Sequence, residues 1–224
     1  MSKISVVIPC FVQNERVAKL LANIANMVQA QIEGKEHELI VVIDSTTVFA
    51  HIRERIDEQT VTFETTPEPT TIKAKKIVMI PKNQGVAFAR NIGVKAAAGD
   101  WVAFFDADDS IPDNSIEILE TSADAAAPET DILQFKARHG DGNIAYPEPC
   151  AWGKLVRRSW IGKGFDQDQL IGEEDTLFLS KPSKKQYIPE VVYYHQPEAN
   201  PDSLMKRFWR GDIKRRRDDS LTTD

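Results

Sequence analysis

Four apolar runs of strand length mark the first half of the chain: Ile4 to Ile8 (ISVVI), Glu38 to Ile43 (ELIVVI), Lys76 to Ile80 (KIVMI) and Trp101 to Phe105 (WVAFF). Each is continuous rather than alternating and rich in β-branched or aromatic residues, the pattern of strands covered on both faces. A parallel sheet is expected. Between the first two runs, Val17, Leu20, Leu21, Ile24, Met27 and Val28 recur at helical spacing and predict an amphipathic helix packed on that sheet. A second helix is predicted from Gly85 to Ala98, with Gly99 as its left-handed C-terminal cap. Strands and helices alternating at this length imply right-handed βαβ crossovers and a doubly wound α/β fold.

Elsewhere the pattern is less regular. Val61 to Lys76 is polar with two prolines and reads as a surface excursion before the third strand. Pro112 suits the first turn of a further helix, which Ile116, Ile118 and Leu119 carry toward Ala126. Asp131 to Ala137 (DILQFKA) reads as another strand. From His139 to Asn143 onward glycines, prolines and aromatics loosen the pattern, as expected of acceptor-side loops rather than nucleotide-side sheet.

Composition narrows the class without choosing a function. A chain of 224 residues can bury one full α/β core, so a single domain over residues 1–205 is expected, in two halves (1–110 and 111–205), with a tail over 206–224. The hydrophobic share of 42% excludes a disordered or fibrous chain, and the net charge of −6 supplies no general attraction to nucleic acid or anionic lipid. Cys10 and Cys150 lie far apart with no CxxC spacing, so neither a disulfide framework nor a zinc site is indicated and a reduced, cytoplasmic setting is the default. No apolar run approaches the roughly 18 residues that would span a bilayer, and the N-terminus lacks a signal-peptide core.

The chemistry concentrates where WVAFF runs into DADD. Asp106, Asp108 and Asp109 follow a strand end, and in an open α/β sheet ligands bind beyond the carboxyl ends of the strands. Carboxylates this close raise one another's pKa or recruit a cation. Asp109 and Ser110 also suit the N-cap of the helix after Pro112, whereas a cap has no use for the pair Asp106 and Asp108. A second acidic set, GEEDTLFL, spans Gly172 to Leu179.

Taken in order, VVIPCFVQNE, VVID, KNQGVAFARNIG, FFDADD and GEEDTLFL resemble family 2 glycosyltransferases of the GT-A fold, over roughly residues 3 to 195. That resemblance implies transfer of a sugar from a nucleotide-diphosphate donor, commonly with inversion, assisted by Mn²⁺ or Mg²⁺. It implies that Asp108 ligates the metal and that Asp106 holds the ribose or shares the metal, hard oxygen donors suited to such ions. Pro9, Cys10 and Glu15 fall in the loop that lines the nucleotide, with Glu15 equally readable as a first-turn helix acid. Asp44 matches one acid of the family's DDGS run, but VIDSTT lacks the second acid and the glycine, which leaves uridine against other bases open. Arg90 contacts the donor or holds the Asp cluster, and both are compatible; Lys82 is a solvated loop residue or its neighbour in that role.

By the same match Asp175 is the base that takes the acceptor's proton and Glu174 contacts the acceptor, while both also suit the first turn of a helix. Trp152 offers a face for a sugar ring or packs in the core. His195 reaches the metal or diphosphate, or is structural. The tail segment Lys206 to Arg217 (KRFWRGDIKRRR) suits anionic lipid headgroups near a lipid-linked acceptor, phosphates including those of a nucleic acid, or packing on the domain. UDP-sugar donors and saccharide or lipid-linked acceptors are favoured, with the tail at the inner face of the membrane. Two other readings remain: a haloacid dehalogenase-like phosphohydrolase, from the DxDx(S/T) form of DADDS, and a non-catalytic nucleotide-sugar-binding module.

Overall fold

Every apolar run forms a strand. In chain order the elements are β1 (Ile4–Cys10), α1 (Glu15–Ile32), β2 (Glu38–Asp44), β3 (Thr60–Phe63), β4 (Thr70–Lys73), β5 (Lys76–Ile80), α2 (Val86–Ala96) and β6 (Trp101–Phe104), then α3 (Ser115–Ala125), β7 (Ile132–His139), β8 (Ile144–Ala145), β9 (Lys154–Arg157), α4 (Arg158–Ile161), α5 (Glu174–Leu179) and β10 (Lys185–His195). These come from a computed structural model that describes residues 1–44, 59–63, 65–166, 174–196 and 199–201. The Ser45–Thr47 part of VIDSTT, Gly172 and Glu173 before α5, and the basic tail lie outside the described residues.

The main sheet runs β10-β7-β9-β6-β1-β2-β5, with β8 paired to β7. Its four predicted strands β6, β1, β2 and β5 are mutually parallel, as their continuous apolar runs require. Alternate residues feed two cores. Ile4, Val6, Ile8, Leu39, Val41 and Ile43 face α1 and α3, whereas Val7, Ile40, Val42, Val102 and Phe104 face α2, α4 and α5. Helix α1 begins where the Asn14 side chain accepts the Val17 N–H at 3.0 Å, and its buried stripe includes Val17, Leu21, Ile24 and Val28.

The second half departs from the purely parallel start. Strand β9 is inserted antiparallel between β6 and β7, and β10 joins the far edge parallel to β7. The sheet is mixed but mostly parallel, within a single domain.

Three local expectations are corrected. Val61 to Lys76 is not a bare excursion: β3 and β4 pair as an antiparallel hairpin that buries Val61, Phe63 and Ile72 in the α1-side core. Helix α3 starts at Ser115 after an Asn114 N-cap rather than at Pro112, whose carbonyl instead accepts from the Ser115 N–H at 3.2 Å. Gly99 is not a left-handed cap, since α2 ends at Ala96 with Ala97 extended behind it. Gly99 is required for close approach: a Cβ there would lie 2.7 Å from the Ser5 backbone nitrogen and 2.8 Å from the Lys3 carbonyl oxygen. The turn is pinned by hydrogen bonds from Gly99 N–H to Ser5 Oγ (2.8 Å) and from Ala98 N–H to Glu38 Oε1 (2.6 Å), the acceptor that Ser5 Oγ also uses.

Because the clash is with backbone, Gly99→Ala is expected to cost about 1–3 kcal/mol. The melting temperature should fall by about 2–4 °C for each of these kcal/mol. An unchanged melting temperature would show that the β1 approach relaxes freely.

Candidate active site

Past β6 the backbone stays extended for one more hydrogen bond, Phe105 N–H to the Val7 carbonyl at 3.1 Å. The residues that follow alternate. Phe105, Ala107 and Asp109 are buried, while Asp106, Asp108 and Ser110 are partly open, and a turn closed by the Asp109 N–H on the Asp106 carbonyl (3.3 Å) is what splits the acidic cluster.

Arg90 is the link between the two acidic sets. It sits on α2, 3% exposed, with Nη2 3.2 Å from Asp106 Oδ1 and Nη1 2.6 Å from Asp175 Oδ1 and 3.6 Å from Glu174 Oε1. Burial opposes its charge, but Asp175, Asp106 and Glu174 outweigh burial and hold the guanidinium still more firmly protonated. Asp175 Oδ2 accepts the Ala151 N–H at 2.9 Å, so both oxygens of that carboxylate are oriented. The neighbouring Asn91 clamps the Phe165 backbone, donating to its carbonyl and accepting its N–H, each at 2.8 Å, ahead of the segment that leads into α5.

Asp109 does not cap α3. Its Oδ2 accepts the Tyr193 hydroxyl at 2.6 Å and its Oδ1 accepts the Gln196 N–H at 2.6 Å, with His195 Nδ1 3.2 Å from Oδ1. Tyr193 in turn accepts the Asp106 N–H at 2.8 Å, so the end of β10 is tied to the strand that carries the acids. Ser110 pairs with Tyr194 through backbone hydrogen bonds instead of starting a helix. Trp152 is 6% exposed and stacks on Tyr193 and His195, each with a centroid separation of 4.9 Å.

The charge balance at the open side is negative. Burial, set against Arg90 and reinforced by Asp109, Asp108 and Asp175, pushes the Asp106 carboxyl up to about 7. Burial and Asp109 also raise Asp108, to which the Asn200 side chain is hydrogen-bonded. The Cys10 thiol is raised by burial and by Asp108, Asp106 and Asp44, which places the end of β1 beside three acids and keeps the sulfur protonated. His195 is raised by its Asp109 hydrogen bond. Among the described residues no three His, Cys, Asp or Glu side chains gather into a metal cage. Two partly open carboxylates with excess negative charge fit an ion that takes its other ligands from water and a diphosphate. A Nδ1-anchored His195 fits the same ion, because the Asp109 hydrogen bond leaves the other ring nitrogen for coordination.

The remaining predicted residues fall on the same end of the sheet with different partners. Pro9 is buried within β1, level with Val42 of β2. Asp44 ends β2 and its carboxylate accepts from Gln84 N–H (3.0 Å) and Gly85 N–H (2.8 Å), positioning the loop that starts α2; burial pushes it up to about 6 against those bonds. Glu15 opens α1 and accepts from Lys19 (2.7 Å) and the Thr66 N–H (2.5 Å), tying that helix to the β3–β4 hairpin. Lys82 is exposed. Tyr193, Asn91 and Lys154 were not legible as site residues. The usable signal for Lys154 was a cation in an otherwise apolar GKLV run.

Beyond the carboxyl ends of parallel strands, this fold holds two acidic sets joined by one arginine. The chain belongs to the glycosyl transferase family 2, whose model matches residues 5–174. Among relatives it is 42% identical over 166 residues to EpsH of Bacillus subtilis (strain 168), a glycosyltransferase by name, with 58% of this chain and 46% of that protein covered. The chain thus spans under half the length of the curated relatives it matches. The fold is that of S. aureus TarS residues 1–349, at a TM-score of 0.63 and 21% identity, covering 88% of this chain and 61% of that one. It is similarly close to the same TarS fragment in complex with UDP-GlcNAc, at a TM-score of 0.62 and 19% identity, covering 88% and 59%. Membership in this family sets aside the phosphohydrolase reading.

Removing Arg90 leaves three carboxylates facing one another, so Arg90→Met is expected to lose about 3–5 kcal/mol in urea denaturation. Arg90→Lys, which keeps charge but cannot span Asp106 and Asp175 with two nitrogens, should fall between. Wild-type stability in the methionine variant would remove Arg90 as the organising contact.

Proposed function

We propose that this chain is an inverting, metal-dependent glycosyltransferase that moves a sugar from a nucleotide-diphosphate donor, with UDP-sugars favoured, to an acceptor hydroxyl. The observation that carries this reading is Arg90 bridging Asp106 at 3.2 Å and Asp175 at 2.6 Å, which sets a donor-side carboxylate and a base on one guanidinium. A scaffold that only bound nucleotide would have no use for the second acidic set. The donor complex of TarS supports the choice of UDP-sugar by likeness of fold.

In this reading residues 1–110 bind the donor and residues 111–205 the acceptor. Pro9, Glu15 and Asp44 line the nucleoside, each from the end or the sequel of a strand, and Asp106 holds the ribose or shares the metal. Asp108 and His195, with Asp106 where it shares the metal rather than the ribose, would supply single ligands to Mn²⁺ or Mg²⁺ and leave its other positions to water and the diphosphate, whose charge the ion would offset when bound. Asp175 takes the acceptor hydroxyl's proton, the acceptor oxygen forms a bond to the anomeric carbon, and the bond to the diphosphate breaks with its electron pair on the leaving nucleoside diphosphate. Glu174 orients the acceptor. Trp152, packed in the core against Tyr193 and His195, backs the acceptor side from within. Arg90 keeps Asp175 aimed.

Among the described residues no helix is long and apolar enough to cross a membrane. A cytoplasmic enzyme whose basic tail meets the inner membrane face, where a saccharide or lipid-linked acceptor lies, completes this reading. A nucleic-acid acceptor is the less favoured alternative.

Two variants test the assignment, assayed as UDP release from UDP-N-acetylglucosamine, UDP-glucose and UDP-galactose with Mn²⁺. Asp175→Asn should lower kcat by about 10²–10⁴-fold with donor KM little changed. Asp108→Ala should abolish the Mn²⁺-dependent thermal shift produced by the preferred UDP-sugar. Full turnover in the first variant would exclude Asp175 as the base, and an intact metal-dependent shift in the second would exclude Asp108 as a ligand.

A further inference from the structure

Lys154 opens β9, between two strands, and is 1% exposed. A buried ammonium is costly and is retained only where its protons find acceptors. Here Nζ donates to the carbonyls of Pro147 and of Cys150, the latter at 2.6 Å. Gln134 Nε2, itself buried, donates to the same Pro147 carbonyl at 3.0 Å. Gly153, at φ +69, lets the chain fold back so closely that a Cβ would lie 2.5 Å from Pro147 Cγ. Residues 147–150 are therefore an arch held from beneath by one cation and one amide. The next residue, Ala151, gives its N–H to Asp175 Oδ2 at 2.9 Å.

The chain of contacts is short and directional: Lys154 to the Cys150 carbonyl, that peptide to the Ala151 N–H, and the N–H to Asp175. Cys150 O and Ala151 N belong to one planar peptide unit, so a donor that fixes the oxygen fixes the direction of the N–H. We infer that Lys154 is a positioning residue for Asp175, acting through the Cys150–Ala151 peptide to orient the carboxylate that Arg90 holds from the other side. The inference rests on the proposed role of Asp175 as base. Burial pushes the Lys154 ammonium down to about 8, as expected of a cation kept by its geometry rather than by solvent. With Lys154 removed, the Cys150 carbonyl loses its donor, the Pro147 carbonyl keeps only Gln134, and the Cys150–Ala151 peptide is free to rotate, while the donor-side acids at the end of β6 are untouched.

The test is steady-state UDP release with Mn²⁺ and the best of the three UDP-sugars, on wild type, Lys154→Met and Asp175→Asn. Misplacing a reacting group by about 1 Å costs on the order of 10²-fold. Lys154→Met is accordingly expected to lose about 10- to 100-fold in kcat with donor KM within about twofold of wild type. A kcat equal to wild type, or a loss shared equally with donor affinity measured by calorimetry, overturns the inference. If Lys154→Met does not melt cooperatively, Lys154→Gln, which keeps an N–H donor without charge, is judged by the same criterion. Failure of both to fold also overturns it, since Lys154 would then support the whole fold rather than one carboxylate. Asp175→Asn separates the two levels: wild-type turnover there defeats the assignment of the base, whereas an inactive Asp175→Asn beside a fully active Lys154→Met defeats only the role of Lys154.

Discussion

One guanidinium, buried among three carboxylates, is the contact on which the site depends. Arg90 projects from α2 into the gap between the end of β6 and the start of α5, and it satisfies Asp106 and Asp175 with different nitrogens. Without that charge the two acidic sets would repel one another across a poorly solvated space, where a pair of like charges costs far more than at the surface. With it, three carboxylates still face one cation. In the proposed function that excess of acid beside a strand end is what a metal-bearing diphosphate neutralises. Among the described residues Arg90 Nε has no hydrogen-bond partner, which fits a side chain placed for its two terminal nitrogens rather than for its own saturation.

The turn that follows β6 then divides the labour among four successive residues. Asp106 and Asp108 emerge on the open side, while Ala107 and Asp109 turn inward. Asp109 spends its oxygens on Tyr193, His195 and Gln196, so the last strand of the sheet is fastened to the first acidic loop. An inward carboxylate is affordable there because every contact is a donor. The same fastening delivers His195 beside Asp108, whose charge raises the imidazole along with that of Asp109 and Asp106.

Much of this was legible in the chain, for physical reasons. Continuous apolar runs can be covered on both faces only in a doubly wound sheet, so β1, β2, β5 and β6 and their parallel pairing followed directly. The DADD cluster and the later acidic pair were visible because carboxylates at strand ends have few other uses. Strand β9 was hidden because Lys154 and Arg157 bracket only two apolar residues, and no periodicity shows in two positions. The hairpin of β3 and β4 was masked by Thr and Pro between its buried Val61, Phe63 and Ile72. Gly99 read as a cap because a glycine after a helix has two explanations, and only the nearness of β1 decides for close approach. The mutual geometry of Arg90 and Asp175, 85 residues apart, was beyond any local pattern.

The two halves of the site are also built to different standards of rigidity. On the proposed donor side, Asp106 and Asp108 follow β6, a buried strand held between parallel β1 and antiparallel β9, so their positions derive from the sheet itself. On the acceptor side, Asp175 begins a helix of six residues that has too few turns to hold its own direction. Its carboxylate is located instead by two contacts from separate parts of the chain, Arg90 on α2 and the Ala151 N–H after the arch. In the proposed function, a base located in this way can be re-aimed by changes in the arch without disturbing Asp106 and Asp108, because the single guanidinium is its one support that also touches the end of β6. On that reading, variation in the acceptor leaves the donor acids in place, whereas variation at Arg90 disturbs both sets.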